Sequence, residues 1–297
     1  MDNALLFDTI DAHLIDLRQL SNEDPRWLQM HHGKIVRAAW CFALPKQFWN
    51  RLKPWERDIA RVYIHARTVH KAVLIGKPAA LIHGIPTISR PTEYPAVLPS
   101  GSVPQKSKGH FFAYKAARLH GQTTTVHGIK LTSLERTAID MARLHGFEEG
   151  LVAADYVRAQ VGRRRMQDTL GALGRVKGVA TARAVVAATV VDSESPWESY
   201  ARALLLRAGI NVRTQYVVGK YRADLAIDGW LLIEIDGDVK YQDKPVEAIR
   251  AEHRRQKELL NMGYVVLRFS PEELRARPEE FVATVRRMLA MGPRRAA

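Results

Sequence analysis

Apolar residues recur at helical spacing near the start of the chain, at Leu5, Leu6, Ile10, Leu14, Leu17 and Leu20, and predict a helix over 4–20. A short β-like run, Ile35 to Phe42, follows the break at Gly33. Helical patterns return from Trp55 to His70 and around Pro78 to His83, so helices, a strand and a basic connection together suggest a winged-helix-like region. Residues 90–109 are rich in Pro, Ser and Gly and read as turns. Short strands are expected at Phe111 to Tyr114 and Thr123 to Val126. Thr132-Ser133-Leu134-Glu135 has capping-box spacing and predicts a helix with Leu134, Ala138 and Met141 on one face. A second helix, about Glu148 to Gln160, precedes the basic run Arg163, Arg164 and Arg165, and alanine-rich helical sequence continues to about Val191.

Asp192-Ser193-Glu194-Ser195 reads as a linker, after which the pattern changes. A helix from Pro196 to about Ala208 leads into strand-like runs at Asn211 to Val218, Tyr221 to Ile227 and Trp230 to Ile235. A polar loop, a helix from about Val246 to Met262, a strand from Tyr264 to Phe269 and a helix from about Pro278 to Leu289 follow. The order α-β-β-β-α-β-α is satisfied by a mixed sheet with flanking helices. The fold class expected for the chain is therefore α/β (α+β), in three stretches: a degenerate winged-helix-like region over 1–90, an α/β to helical middle region over 91–192, and the mixed-sheet domain over 193–297.

Charge narrows the partners. The 297 residues hold 45 Lys and Arg against 31 Asp and Glu, a net +14 that attracts polyanions and puts nucleic acid first. The single cysteine, Cys41, excludes an internal disulfide and a cysteine-based zinc site, and fits a reducing compartment. The opening MDNALLFDTIDAHL carries acids where a signal peptide has bases, and no apolar run approaches the roughly 18 residues of a membrane span. A cytoplasmic protein with no membrane partner is expected. Gly76-Lys77 lacks the glycine spacing of a phosphate loop, and neither HExxH nor GxSxG occurs, which removes three common hydrolase classes.

The chemistry concentrates in Leu231-Leu232-Ile233-Glu234-Ile235-Asp236-Gly237. Glu234 and Asp236 are two apart on a strand and project from one face. One strand earlier Asp224 interrupts another apolar run, and Glu198 lies in the first turn of the preceding helix. Like charges about 5 Å apart cost on the order of 3 kcal/mol per pair at an effective dielectric near 20, so converging acids call for a cation. Hard oxygen donors favour Mg²⁺ or Mn²⁺. In a basic protein that combination suggests metal-assisted attack on a phosphodiester, with Asp224 and Glu234 as ligands. Asp236 would be a third ligand or position water, and Glu198 lies near the ion. Lys240 is the nearest lysine for stabilising developing charge, and Arg254, Arg255, Arg268 and His253 are candidate phosphate contacts. Plainer roles compete: Ser195-Pro196-Trp197-Glu198 is also a capping box, and strand acids often only face solvent. Geometry separates the two. A two-residue turn at Asp228-Gly229 would put Asp224 opposite Ile233, on the other face from Glu234; an extra loop residue, a bulge or divergence of the chain would bring the acids together.

Asp224, Glu234-Ile235-Asp236-Gly237, and Gly263-Tyr264-Val265-Val266-Leu267-Arg268-Phe269 after a basic helix resemble the PD-(D/E)XK nuclease superfamily, and within it the branch similar to very-short-patch-repair endonucleases. Ser195-Pro196-Trp197-Glu198-Ser199 resembles that branch's first-helix acid motif, and Asp236 to Tyr241 its loop after the third core strand. The resemblance implies a restriction-endonuclease-like core and Mg²⁺-dependent DNA cleavage. Upstream, Gly76 to Ile85 and Gly128 to Arg143 are similar to AbiEi-type antitoxins of type IV toxin–antitoxin systems, which implies a DNA-binding winged helix and a cognate toxin as partner. Two departures stand out. Asp236 occupies the position of the superfamily lysine, for which Lys240 or Lys257 are the substitutes at hand, and Gln256 stands where relatives tend to carry an acid. The sequence thus supports a Mg²⁺-dependent DNA endonuclease or nickase, and as the alternative a catalytically inactive, antitoxin-like DNA-binding regulator.

Overall fold

A computed structural model describes residues 3–103, 111–236 and 246–293. The chain divides into two compact units, residues 1–188 and 189–297. Among the described residues no helix is long and apolar enough to cross a membrane.

The first unit opens with α1 (Asn3–His13), β1 (Ile15–Asp16), α2 (Pro25–His31), β2 (Ile35–Arg37) and β3 (Phe42–Pro45). The helix expected over 4–20 stops at His13, because Ile15 and Asp16 pair with Ala43 and Phe42 of β3 and Asp16 then accepts a hydrogen bond from the Arg18 N–H. The run expected as one strand, Ile35 to Phe42, is two antiparallel strands closing a three-stranded sheet of order β1-β3-β2. Helix α2 went unread in the apolar pattern; Asp24 caps it through the Arg26 N–H and Pro25 occupies its first turn. After α3 (Lys46–Arg51) and α4 (Pro54–Ala66) come β4 (Val73–Leu74), α5 (Lys77–His83), β5 (Pro95–Val97), β6 (Ala113–Tyr114), β7 (Thr123–Val126) and β8 (Ile129–Thr132). These strands form a sheet of order β6-β5-β4-β8-β7, so its pairing runs across the boundary placed at residue 90. Helices α6 (Leu134–His145), α7 (Phe147–Val161), α8 (Arg163–Gly171) and α9 (Val179–Ala188) complete the unit. The capping box expected at Thr132 does not form: Thr132 ends β8 and shares its hydroxyl with Thr137, and the cap position falls on Ser133 without a side-chain bond.

The second unit follows the predicted order, with one added helix. It comprises α10 (Pro196–Arg207), β9 (Arg213–Val218), β10 (Tyr221–Ile227), β11 (Leu231–Ile235), α11 (Val246–Asn261), β12 (Val265–Phe269), α12 (Pro271–Ala276) and α13 (Pro278–Met291). The sheet order is β12-β11-β10-β9, with β11 and β12 parallel and the other neighbours antiparallel. It is the mixed α/β sheet with flanking helices that the element order called for. One face packs Leu225, Ile227, Leu231 and Ile233 against Ala201 and Leu205 of α10 and Phe281 and Val285 of α13. The other packs Ala226 and Leu232 against Leu259 of α11. Both sides of β11 are therefore covered, and all five of its residues are buried.

Candidate active site

The register of the second sheet decides which acids meet. Leu225, Ala226 and Ile227 pair with Ile233, Leu232 and Leu231, which leaves Asp228, Gly229 and Trp230 in the connection. The loop thus has the one extra residue needed, and the register carried one step outward sets Asp224 opposite Glu234. Asp228 and Gly229 turn the chain at φ of 50° and 73°, a left-handed conformation that Asp tolerates and Gly adopts freely. On the far side of β10, pairs Ala223–Tyr216 and Leu225–Thr214 bracket Asp224 opposite Gln215, while Glu234 pairs with Arg268 of β12. A polar row, Gln215, Asp224, Glu234, Arg268, therefore crosses an otherwise apolar sheet.

Glu234 is 4% exposed and lies among cations. Arg255 from α11 bonds both of its carboxylate oxygens, and Arg268 donates from Nε to Oε2 at 3.1 Å. Glu252, one turn before Arg255, holds the far end of the Arg268 guanidinium. Asp236, at the end of β11, takes its place through its N–H to the Phe269 carbonyl (3.1 Å) and lies 3.7 Å from Arg268, its side chain 59% exposed. A buried carboxylate demands such partners. Burial nevertheless pushes the Glu234 carboxyl above its ordinary range; Arg255 and Arg268 oppose the shift and Asp236 adds to it.

Asp224 accepts the Ile235 N–H at Oδ2 (2.7 Å). Burial raises its pKa against that hydrogen bond, and the charges of Asp236 and Glu194 raise it further. Glu198 is the capping residue that its motif promised, but displaced by one. Ser195 Oγ accepts the Glu198 N–H, whereas Glu198 Oε2 accepts from the Glu194 N–H (2.9 Å) and from Gln215 Nε2 (3.0 Å). Its pKa is raised by burial first and by Asp224 and Glu194 after, which places it within the same electrostatic cluster.

The other sequence candidates divide. Arg255 and Arg268 join the site. Arg254 is exposed and acts on Glu258, and His253 lines a separate cleft with Gln256, Lys257, Leu260 and Tyr264, so neither meets Glu234. Lys257, one substitute for the superfamily lysine, lies in that same cleft. Lys240, the other, lies outside the described residues. Sequence reasoning missed Gln215, Glu252 and Glu194. Gln215 holds φ at 48°, an uncommon backbone for a side chain of its size, and its Oε1 is buried without a hydrogen-bond partner. Glu252 was legible in one respect: it precedes Arg255 by three, a spacing that puts both on one helix face.

Among the described residues no three His, Cys, Asp or Glu side chains are gathered as a ready-made metal cage. The donor set still suits a hard divalent ion in kind: Asp224 and Glu234 share a face, Asp236 follows at the strand end, and Gln215, opposite Asp224 in register, has a buried Oε1 with no hydrogen-bond partner. Two arginines, Arg255 and Arg268, already occupy Glu234.

Residues 198–289 match the model of REase_MTES_1575, a restriction endonuclease-like family. One solved structure found by comparison, the catalytic domain of the homing endonuclease I-Bth0305I, is 23% identical, with a TM-score of 0.24 over 30% of this chain and 94% of that one. No curated protein matches the chain. The family match supports a nuclease-like domain over residues 198–289.

Proposed function

We propose that the protein is a divalent-metal-dependent endonuclease or nickase acting on DNA, with its reaction centre on the polar row of the second sheet. The observation that carries this reading is the three-residue loop, which sets Asp224 and Glu234 side by side within a stretch similar to a restriction endonuclease-like family. Asp224, Glu234 and Asp236 would hold Mg²⁺ or Mn²⁺, with Gln215 and Glu198 at its edge. Such an ion, when bound, polarises a phosphoryl oxygen and lowers the pKa of an attacking water. The chain's own groups do the rest. The arginines beside the acids bind the phosphate and balance its charge. Asp236, largely exposed, orients water towards phosphorus. As the water oxygen bonds to phosphorus, the bond to one bridging sugar oxygen breaks, and the water's proton ends on that leaving oxygen. Strand β12 holds Arg268 in register beside Glu234, so that group needs little reorganisation.

Purified protein should nick or cut plasmid DNA with Mg²⁺ or Mn²⁺ and not with EDTA. Asp224→Asn and Glu234→Gln should each lose at least about 100-fold in rate, the scale of removing one group that stabilises developing charge. Equal cutting by both variants would place the reaction elsewhere.

A second reading is supported by two observations. The site's central acid is already neutralised by two arginines. The first sheet, of order β1-β3-β2 with α2 against β2, is compatible with the winged-helix-like region read from the sequence. On this reading the chain is an antitoxin-like DNA-binding regulator, with a toxin as partner and the nuclease-like unit kept as a scaffold. It predicts operator binding without metal and no cleavage with any divalent ion.

A further inference from the structure

We propose that Arg255 is the phosphate-contacting residue that stands in for the lysine absent from β11, and that it is stored on Glu234 until a divalent cation takes that carboxylate. The inference rests on the nuclease reading above and assigns the exchange that brings the site into its working state.

Glu234 cannot serve both masters. Its two oxygens are engaged by Arg255, and Oε2 also accepts from Arg268. Arg255 and Arg268 take three of its roughly four lone-pair sites, and a cation brought to the remaining one meets the guanidinium's charge, so metal and guanidinium compete for one carboxylate. A phosphate, in turn, needs the guanidinium. One movement of the Arg255 side chain meets both demands.

Arg255, rather than Arg268, is the side chain free to move. Arg268 belongs to a strand paired in register with β11, and three carboxylates, Glu252, Glu234 and Asp236, lie against it. Burial works against its charge, but those acids outweigh burial and raise its pKa. Arg255 is tied less firmly. Apart from Glu234 it has Glu252 at 3.7 Å, the Arg222 carbonyl at 3.3 Å and the Tyr221 ring at 5.7 Å. The carbonyl and the ring are neutral groups, and an aromatic face accepts a guanidinium in more than one position.

Charge counting favours the exchange. Among the described residues around the polar row, Arg222, Arg255 and Arg268 face six carboxylates: Glu194, Glu198, Asp224, Glu234, Asp236 and Glu252. The cluster is negative within a basic protein. In this arrangement it repels a phosphodiester. A dication on Asp224 and Glu234 offsets the excess, and the displaced guanidinium, already partly desolvated and planar, is suited to two phosphate oxygens at once.

Mn²⁺ binding to the full chain, read from the electron paramagnetic resonance of the free ion, tests the exchange apart from turnover. Arg255→Gln should bind Mn²⁺ about tenfold more tightly than the wild type, about 1.4 kcal/mol, because the competitor is gone. At saturating Mn²⁺ it should cleave plasmid at least about 100-fold more slowly, because the phosphate contact is gone. Arg255→Lys, which keeps the charge but cannot engage both oxygens, should also bind the ion more tightly and recover part of the rate. Mn²⁺ affinity no higher than wild type in folded Arg255→Gln overturns the exchange, and an undiminished cleavage rate overturns the phosphate contact. Where Arg255→Gln fails to fold, Arg255→Lys decides by the same two readings. Failure of the nuclease reading looks different: the wild type itself cuts nothing, and the phosphate contact falls with it.

Discussion

At the scale of single residues, Asp224 shows how burial and repulsion shape the site. The folded chain raises the pKa of Asp224, Glu198 and Glu234, so it holds their protons more tightly than the unfolded chain does. Their contribution to stability is full below the ordinary carboxylate range and is lost as pH rises through the raised values. Asp224→Asn keeps an acceptor for the Ile235 N–H and removes the charge. It should melt at the same temperature as the wild type at low pH and a few degrees higher at neutral pH; a gap that fails to open with pH would refute the assignment. Asp224 and Glu234 stood out in sequence because each is a carboxylate inside an apolar strand run. Gln215 did not. Its meaning comes from the strained φ and from the strand opposite, and neither is written in a polar residue between Thr214 and Tyr216.

At the scale of elements, the site depends on the loop between β10 and β11. The sequence marked a turn at Asp228-Gly229, but not whether two residues or three would form it; that single residue decides whether the acids share a face. The outcome turns on Trp230, which starts no strand here: its N–H closes the turn on the Ile227 carbonyl (3.3 Å) and its carbonyl accepts from Val265. Gly229 at φ 73° needs the left-handed region, so Gly229→Val should cost about 1–2 kcal/mol in urea unfolding. No loss would mean the turn is built otherwise. The N-terminal elements were harder to read. The spacing of Leu14, Leu17 and Leu20 fits a helix, yet Ile15 and Asp16 gain strand partners in β3 that no local pattern reveals. Helices also misled through caps: Thr132 bonds within the protein instead of capping.

At the scale of the molecule, charge and chemistry separate. Residues 1–188 hold 27 Lys and Arg against 15 Asp and Glu, while residues 189–297 hold 18 against 16. Of the net +14, +12 thus lies in the first unit, and attraction for a polyanion is concentrated there. DNA binding by the full chain should weaken steeply with salt through counterion release, and Glu234→Gln should leave that slope within one unit of the wild type's. A larger change would make the nuclease-like unit the main contact.

The most direct measurement is a crystal structure of the full chain grown with Mn²⁺, with the ion located by its anomalous scattering. The account predicts a peak within about 2.5 Å of oxygens from both Asp224 and Glu234, with the Arg255 guanidinium withdrawn from Glu234. An ordered site with no anomalous peak, and Arg255 still on that carboxylate at saturating Mn²⁺, would contradict it.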